Sequence, residues 1–392
     1  MIKFGKRHNL LYPFIFVIFN DIRKIDEIIM RKCINFSGSF LLTFIMFFAD
    51  SISGLLVYLY NLKYIREKKA SKFMGIELIK APSNIISPDK NIKIFFLLFL
   101  SSYIDFTEYF LSSFYIPREF ENVSKSLELR LKITIICAST FFCYFNLKIP
   151  IFKHQIITII IISVCLIIII VTEIIYYYHD SRILSDYSIL VLMIIDHIFN
   201  SSIDIIEKYL LEYDFINPYL MLMLEGIFGL FFSFLFSFYR SPFIKIKKIY
   251  NKYNNDSESK DFIYLIICLI VYFFLSCGRN IYRVTTNKLY SPTTKALFDY
   301  ILVPFLIIFY YVWDNDFQSN NKRLFFIFLI NLIISIIVVF CGLIYNELII
   351  LFCCGLEYDT YLEVSKRAKK IEGKAYELSG NESAFSSFFI DE

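Results

Sequence analysis

The chain has 392 residues, 57% of them hydrophobic and only 19% charged, against about 45–50% and about 25% in soluble globular domains. Its apolar residues fall into blocks of about 20, the length that crosses ~30 Å of hydrocarbon, which excludes an ordinary soluble fold. The net charge of +4 is small and the excess of basic residues sits in loops, which suits contact with anionic lipid headgroups better than nucleic-acid binding.

Ten helical blocks are predicted in chain order. The first, 9–29, opens on "LLYPFIFVIF" and meets Asp21, Arg23 and Lys24 at once. No small-x-small cleavage pattern follows, so it reads as a short, uncleaved membrane helix. The second, 37–63, carries Asp50. After a basic loop, 64–92, the third block, 93–115, places Ser101, Asp105, Glu108 and Ser112 on one helical face at spacings of four, three and four. The fourth, 122–146, has Glu128, Arg130 and Lys132 near its start, and the fifth, 153–175, is almost purely aliphatic.

The sixth block, 184–211, is the richest in polar groups. Asp196, Asn200, Asp204 and Glu207 share one face, and Ile198, Ile203, Ile205 and Leu210 lie opposite. The seventh, 218–239, contains Glu225 beside Gly226 and Gly229, a spacing that suits close helix crossing. A second basic loop leads to the eighth, 262–286, where Ser276, Asn280, Arg283 and Asn287 form a stripe. The ninth, 290–313, sets Lys295 and Asp299 one turn apart, as for an intrahelical ion pair. The tenth is 323–346, and the tail, 347–392, reads as partly helical and then disordered.

An ionised side chain at mid-bilayer costs about 2.5–3.5 kcal/mol on insertion scales, so such residues turn toward one another or toward water. The expected substrate cavity is lined by Asp105, Glu108, Asn200, Asp204, Glu207, Asn280, Arg283, Lys288 and Lys295. Asp50, Asp196, His197, Glu225 and Asp299 are expected to act in structure or coupling. Alternatives stand beside this reading. Glu128, Arg130, Glu173, Lys208 and Lys288 lie near helix ends, where snorkelling to the interface is the simpler account. His197 is either a proton relay or a hydrogen-bonded core residue.

Enzyme chemistry finds no support. Four widely separated histidines, no G-x-S-x-G, no H-E-x-x-H and no glycine-rich phosphate loop leave no catalytic motif, cofactor or metal site. The nine cysteines show no C-x-x-C pair and read as small buried apolar residues, with palmitoylation the alternative at Cys353-Cys354. The Lys and Arg distribution and the sequons at Asn122 and Asn255 favour cytosolic N- and C-termini.

Several stretches carry a family likeness. In "IIEKYLLEYDFINPYLMLMLEGIFG", Glu207-Lys208, Pro218 and Glu225-Gly226 with Gly229 fall where the drug/metabolite transporter superfamily has them. The match is to the F-type branch of solute carrier family 35, relatives of nucleotide-sugar transporters. "RNIYRVTTNKLYSPTTKALFDY" resembles that branch through Asn280, Lys288, Ser291, Thr293, Thr294, Lys295 and Asp299, and "FCGLIYNELI" through Gly342, Tyr345 and Asn346. Asp50 in "FIMFFADSISGLL" stands where the family has an acid, and "SKSLELRLK" resembles its S-x-S-x-Q-x-x-R run. The first helix lacks the family's G-T-x-x-T, Arg130 is one place early, and Lys132 stands where glycine is usual.

The resemblance implies an all-α polytopic membrane protein of ten helices in two inverted five-helix repeats, 1–183 and 184–346. It implies secondary transport of a small organic solute, nucleotide-linked or anionic, by alternating access across an endomembrane such as Golgi, ER or lysosome/vacuole. A homodimer is compatible with that fold. The alternative transporter reading is a vacuolar or lysosomal exporter of cations or peptides, like the chloroquine-resistance-transporter group. A non-transporting scaffold working through loop 64–92 and the tail is the alternative outside transport.

Overall fold

The computed structural model describes residues 2–4, 11–33, 39–67, 88–110, 128–149, 151–179, 183–239, 259–313 and 322–351, with isolated positions up to 367. Most of loop 64–92, most of the loop after 239, both sequons, Ser112, Cys353-Cys354 and most of the tail lie outside these residues.

The described chain is nearly all helix. In order it forms β1 (Ile2–Phe4), α1 (Leu11–Cys33), α2 (Ser39–Glu67), α3 (Pro88–Phe110), α4 (Ile133–Phe145) and α5 (Lys153–His179). Then come α6 (Ile183–Glu212), α7 (Pro218–Tyr239), α8 (Ser259–Leu289), α9 (Pro292–Asp299), α10 (Val303–Trp313), α11 (Lys322–Tyr345) and β2 (Ile349–Leu351). A further helical turn at 128–131 precedes α4. Among the described residues six segments are long and apolar enough to cross a membrane: Leu41–Asn61, Lys153–Ile175, Pro218–Phe236, Ile263–Leu289, Pro292–Phe309 and Phe325–Tyr345. The chain is an integral membrane protein. Helices α1, α3 and α6 are 23, 23 and 30 residues long but carry more charge.

Local sequence explains the helix starts. Asn217 precedes Pro218, and its Oδ1 accepts from the backbone N–H of Tyr219 at 3.0 Å. Ser291 precedes Pro292 and caps α9 by accepting from Thr294 N at 3.1 Å. A short polar cap followed by proline satisfies the free N–H groups of a first turn and presets its φ. The expected single helix over 290–313 is instead two, because Pro304 cannot donate to the Tyr300 carbonyl and its ring crowds that oxygen. The chain tightens there through a Val303 N to Tyr300 O bond of 3.1 Å.

Packing pairs α1 with α8 and α9, α2 with α7 and α8, α3 with α6 and α7, α4 with α5, α6 and α9, and α5 and α10 with α11. One end of the bundle gathers the loop residues 146–149, 151–152, 213–217 and 290–291. Tyr213 Oη donates to Leu147 O at 3.0 Å, Lys93 Nζ lies 2.6 Å from Tyr209 Oη, and β1 pairs antiparallel with β2. Helix α6 is central. Asp204 and Glu207 of its polar face and the aliphatic residues Ile203, Ile205 and Leu210 are all buried, so over its second half the expected division into a wet and an oily side becomes burial on both, while Asp196, Ile198 and Asn200 are partly exposed.

Helices α2 and α7 cross closely enough to need glycine. A Cβ on Gly226 would strike the Ser51 backbone nitrogen, and one on Gly54 would lie 2.5 Å from Met223 N. Backbone on backbone cannot yield, whereas a Cβ on Gly342 meets only the Leu297 side chain at 3.3 Å. Gly226→Ala is therefore expected to cost about 1–3 kcal/mol by overpacking, read as a lower unfolding temperature in detergent, while Gly342→Ala stays near wild type.

Candidate functional site

The polar residues of α3, α6, α7, α8 and α9 meet inside the bundle. At the centre the Arg283 guanidinium of α8 pairs with Glu207 of α6, and its Nη2 lies 3.6 Å from Glu225 Oε2 of α7. Glu225 Oε1 accepts from Ser101 Oγ of α3 at 3.0 Å, and Ser102 Oγ donates to the Glu225 carbonyl at 3.2 Å. One turn along α8, Asn287 Nδ2 donates to both Glu207 and Asp204, the latter at 3.2 Å. Lys295 of α9 pairs with Asp204 and lies 5.5 Å above the Phe16 ring.

This layer is sealed. Glu207 is 0% exposed, and Asp204, Glu225, Arg283 and Lys295 are all buried. Lys208 closes it toward the end with the 213–217 loop. Its ammonium donates to Asn287 O at 2.9 Å and to Lys288 O at 3.3 Å, and pairs with the half-exposed Glu212 at 2.6 Å.

Toward the opposite end, the polar side chains become more exposed. Asn200 Nδ2 donates to Glu108 Oε1 at 2.9 Å, and both residues are partly exposed. Asp105 is partly exposed and makes no hydrogen bond or ion pair among the described residues. Arg279, one turn before Arg283, donates to Asn20 Oδ1 at 3.1 Å and to Asn280 Oδ1 at 2.9 Å. It meets no carboxylate at ion-pair distance among the described residues, although Asp105 is within its electrostatic reach. A second charged cluster flanks it: Lys132 Nζ to Asp299 Oδ2 at 2.8 Å, Asn20 Nδ2 to Asp299 Oδ1 at 2.7 Å, and Lys24 to Glu128 at 3.8 Å. Lys24 and Glu128 are 20% and 38% exposed, which marks this side as the more open one.

Most of the expected site residues are brought together, with corrections. Lys295 and Asp299 do not pair with each other. Helix α9 packs between α4 and α6, and each residue takes an interhelical partner of opposite sign, Asp204 for the lysine and Lys132 for the aspartate. Lys288 is exposed at the end of α8 and lines nothing central; only its carbonyl enters the network. Arg283 is buried and ion-paired with Glu207 and Glu225, only its Nε lacking a hydrogen bond among the described residues, and is not an open anion contact. Asn280 is wholly buried and holds Arg279. His197 is buried with Nε2 3.3 Å from the Glu128 carbonyl and Nδ1 4.0 Å from the Asp196 carboxylate. Asp50 is buried against the α2–α7 crossing, and its Oδ1 finds no hydrogen bond among the described residues.

Sequence reasoning passed over Arg279, Asn20 and Lys132 as members of the site. Arg279 adjoins Asn280 but lies about 100° from it around the helix, facing α1. The signal for Asn20 was the cluster "FNDIRK", whose charges mark the inward face of α1. No group of three or more His, Cys, Asp or Glu side chains among the described residues has a metal-binding arrangement. No protein-family model matches the chain, and no curated protein matches it.

Removing one partner of a buried ion pair strands the other charge, at about 3–5 kcal/mol. Glu207→Gln and Arg283→Gln should each lower stability by that order, while the double variant costs less than their sum. A double-mutant cycle on thermal unfolding in detergent checks this. Lys288→Ala should stay within about 0.5 kcal/mol of wild type.

Proposed function

We propose that the protein is a secondary transporter that moves a small organic solute across an internal membrane by alternating access. The observation that carries this reading is the gradient along α6 and α8. Partly exposed charges at Asp105 and Arg279, neither in an ion pair among the described residues, give way, within two helical turns, to a buried, ion-paired layer at Arg283, Glu207, Asp204 and Lys295. A partly exposed polar wall ending on a breakable ion-pair latch is what a solute site between two alternating openings requires.

The helix pairings support a repeat of two inverted five-helix halves. Counting α9 with α10 as the ninth span and α11 as the tenth, exchange of each span with the one five later returns most of the same neighbours, the α5–α6, α6–α8, α6–α9 and α8–α9 contacts excepted. The α1–α8 contact becomes α6–α3, α2–α8 becomes α7–α3, and α4–α6 becomes α9–α1. The α2–α7, α4–α9 and α5–α11 contacts map onto themselves. Even the polar contacts correspond: Asn20 of α1 holds Arg279 of α8, and Asn200 of α6 holds Glu108 of α3. This is the organisation that the resemblance to nucleotide-sugar transporters implies.

In this reading Arg279 replaces Lys288 as the contact for an anionic group on the solute, and a nucleotide-linked solute is the class implied by the resemblance. A second reading, export of cations or peptides, is favoured by the carboxylates around that guanidinium. Asp105, Glu108 and Asp50 outnumber Arg279 as its near neighbours, so an amine or a proton is also welcome there.

Uptake into proteoliposomes of UDP-glucose, GDP-mannose, UMP, a dipeptide and a polyamine tests the proposal. A nucleotide-linked solute is expected to enter, and Arg279→Ala to reduce its uptake at least tenfold with the protein still folded. Uptake of the polyamine or dipeptide, lost in Asp105→Asn, would favour the second reading. Absence of uptake of every compound would contradict transport.

A further inference from the structure

A cleft of about 420 Å³ lies on the flank of the bundle, between α1 and α10, apart from the polar layer. Ile18, Ile22 and Ile25 form one wall, Leu302, Phe305 and Phe309 the other. These residues recur every three or four positions, so each wall is one face of one helix. Ile22 is 46% and Phe305 68% exposed at its rim, on an outer surface that lipid covers.

Among the described residues one polar group lines this cleft. Asp21 is 5% exposed, and neither carboxylate oxygen has a hydrogen-bond partner among the described residues. Its neighbours do not neutralise it by contact: Lys132 is bound to Asp299, and Lys24 to Glu128. Arg23 is held by Tyr272 at 2.8 Å, so among the described residues Asp21 is the one charged group of this corner with no contact partner. A buried carboxylate without a partner is costly, and a cation that enters with it removes the penalty.

We infer that the cleft is a lateral binding site for a lipophilic amine, taken from the bilayer, with its hydrocarbon between the aliphatic and aromatic walls and its ammonium on Asp21. The volume is that of a small-molecule site, apolar walls with one oriented polar group are the usual chemistry of such a site, and the sign of that group selects a cation. A phospholipid chain alone would fill the walls and leave the carboxylate unmet.

Photolabelling in nanodiscs with a diazirine-bearing alkylamine, and with the alcohol of the same chain, tests the inference, the labelled peptides being mapped. The amine is expected to label Ile18–Ile25 and Leu302–Phe309 at least tenfold more than the alcohol. Asp21→Asn should bring the amine down to the level of the alcohol. Ile22→Trp, a change at an exposed rim position that leaves Asp21 intact, should suppress both. Equal labelling by amine and alcohol in the wild type would overturn the site. So would amine labelling that survives both variants, or that is displaced by excess phosphatidylcholine as readily as the alcohol is.

Discussion

A charge in hydrocarbon must find either water or an opposite charge, and this bundle is arranged around that constraint. Arg283 lies inside a membrane span, where leaving it unpaired costs about 2.5–3.5 kcal/mol or more. It is met from α6 by Glu207 and from α7 by Glu225, and α3 supports the latter through Ser101. Asn287 then ties Glu207 to Asp204, and Asp204 ties α9 to α6 through Lys295. Five helices are joined by groups that none of them can bury alone. The same constraint explains why α1, the most charged of the long helices, turns Asn20, Asp21 and Arg23 inward while Leu11, Phe14 and Ile29 remain on the outside.

Close backbone packing works with this electrostatic layer. The α2–α7 crossing at Gly54 and Gly226 brings Asp50 and Glu225 to the same depth as the Arg283 pair. Aromatic contacts between α3 and α7, such as Phe95 with Phe228 at 5.1 Å and Phe99 with Phe232 at 5.0 Å, seal the lipid side of the same helices. The polar layer is thus flanked by apolar packing at the level where its charges would otherwise be most costly.

Much of this was legible in the residues. Apolar blocks near 20 residues fix helix positions strongly, and 218–239 is helical over the span expected, from the proline after Asn217 to Tyr239. The i, i+4 stripe at Asp196–Glu207 announced a buried polar face, because no isolated helix keeps such a face in lipid. Partner choice was not legible. Lys295 and Asp299 suit each other along one helix, but tertiary neighbours on α6 and α4 offered better desolvated contacts. The break before Pro304 was hidden by unbroken apolarity, and Arg279 by its position off the stripe drawn through Asn280 and Arg283.

The central claim, that a sealed ion-pair layer separates a partly exposed polar wall from the far end of the bundle and can itself be opened, is tested most directly by sided thiol labelling. The nine cysteines are first replaced; single cysteines are then placed by Asp105→Cys, Asn200→Cys and Ser101→Cys, and proteoliposomes are treated with a membrane-impermeant maleimide. Labelling at 105 and 200 from one face only, with 101 silent until Glu207→Gln/Arg283→Gln unlocks it toward the other face, is the predicted result. Positions 105 and 200 as unreactive as 101 from both faces, before and after that change, would mean a solid core and would contradict it.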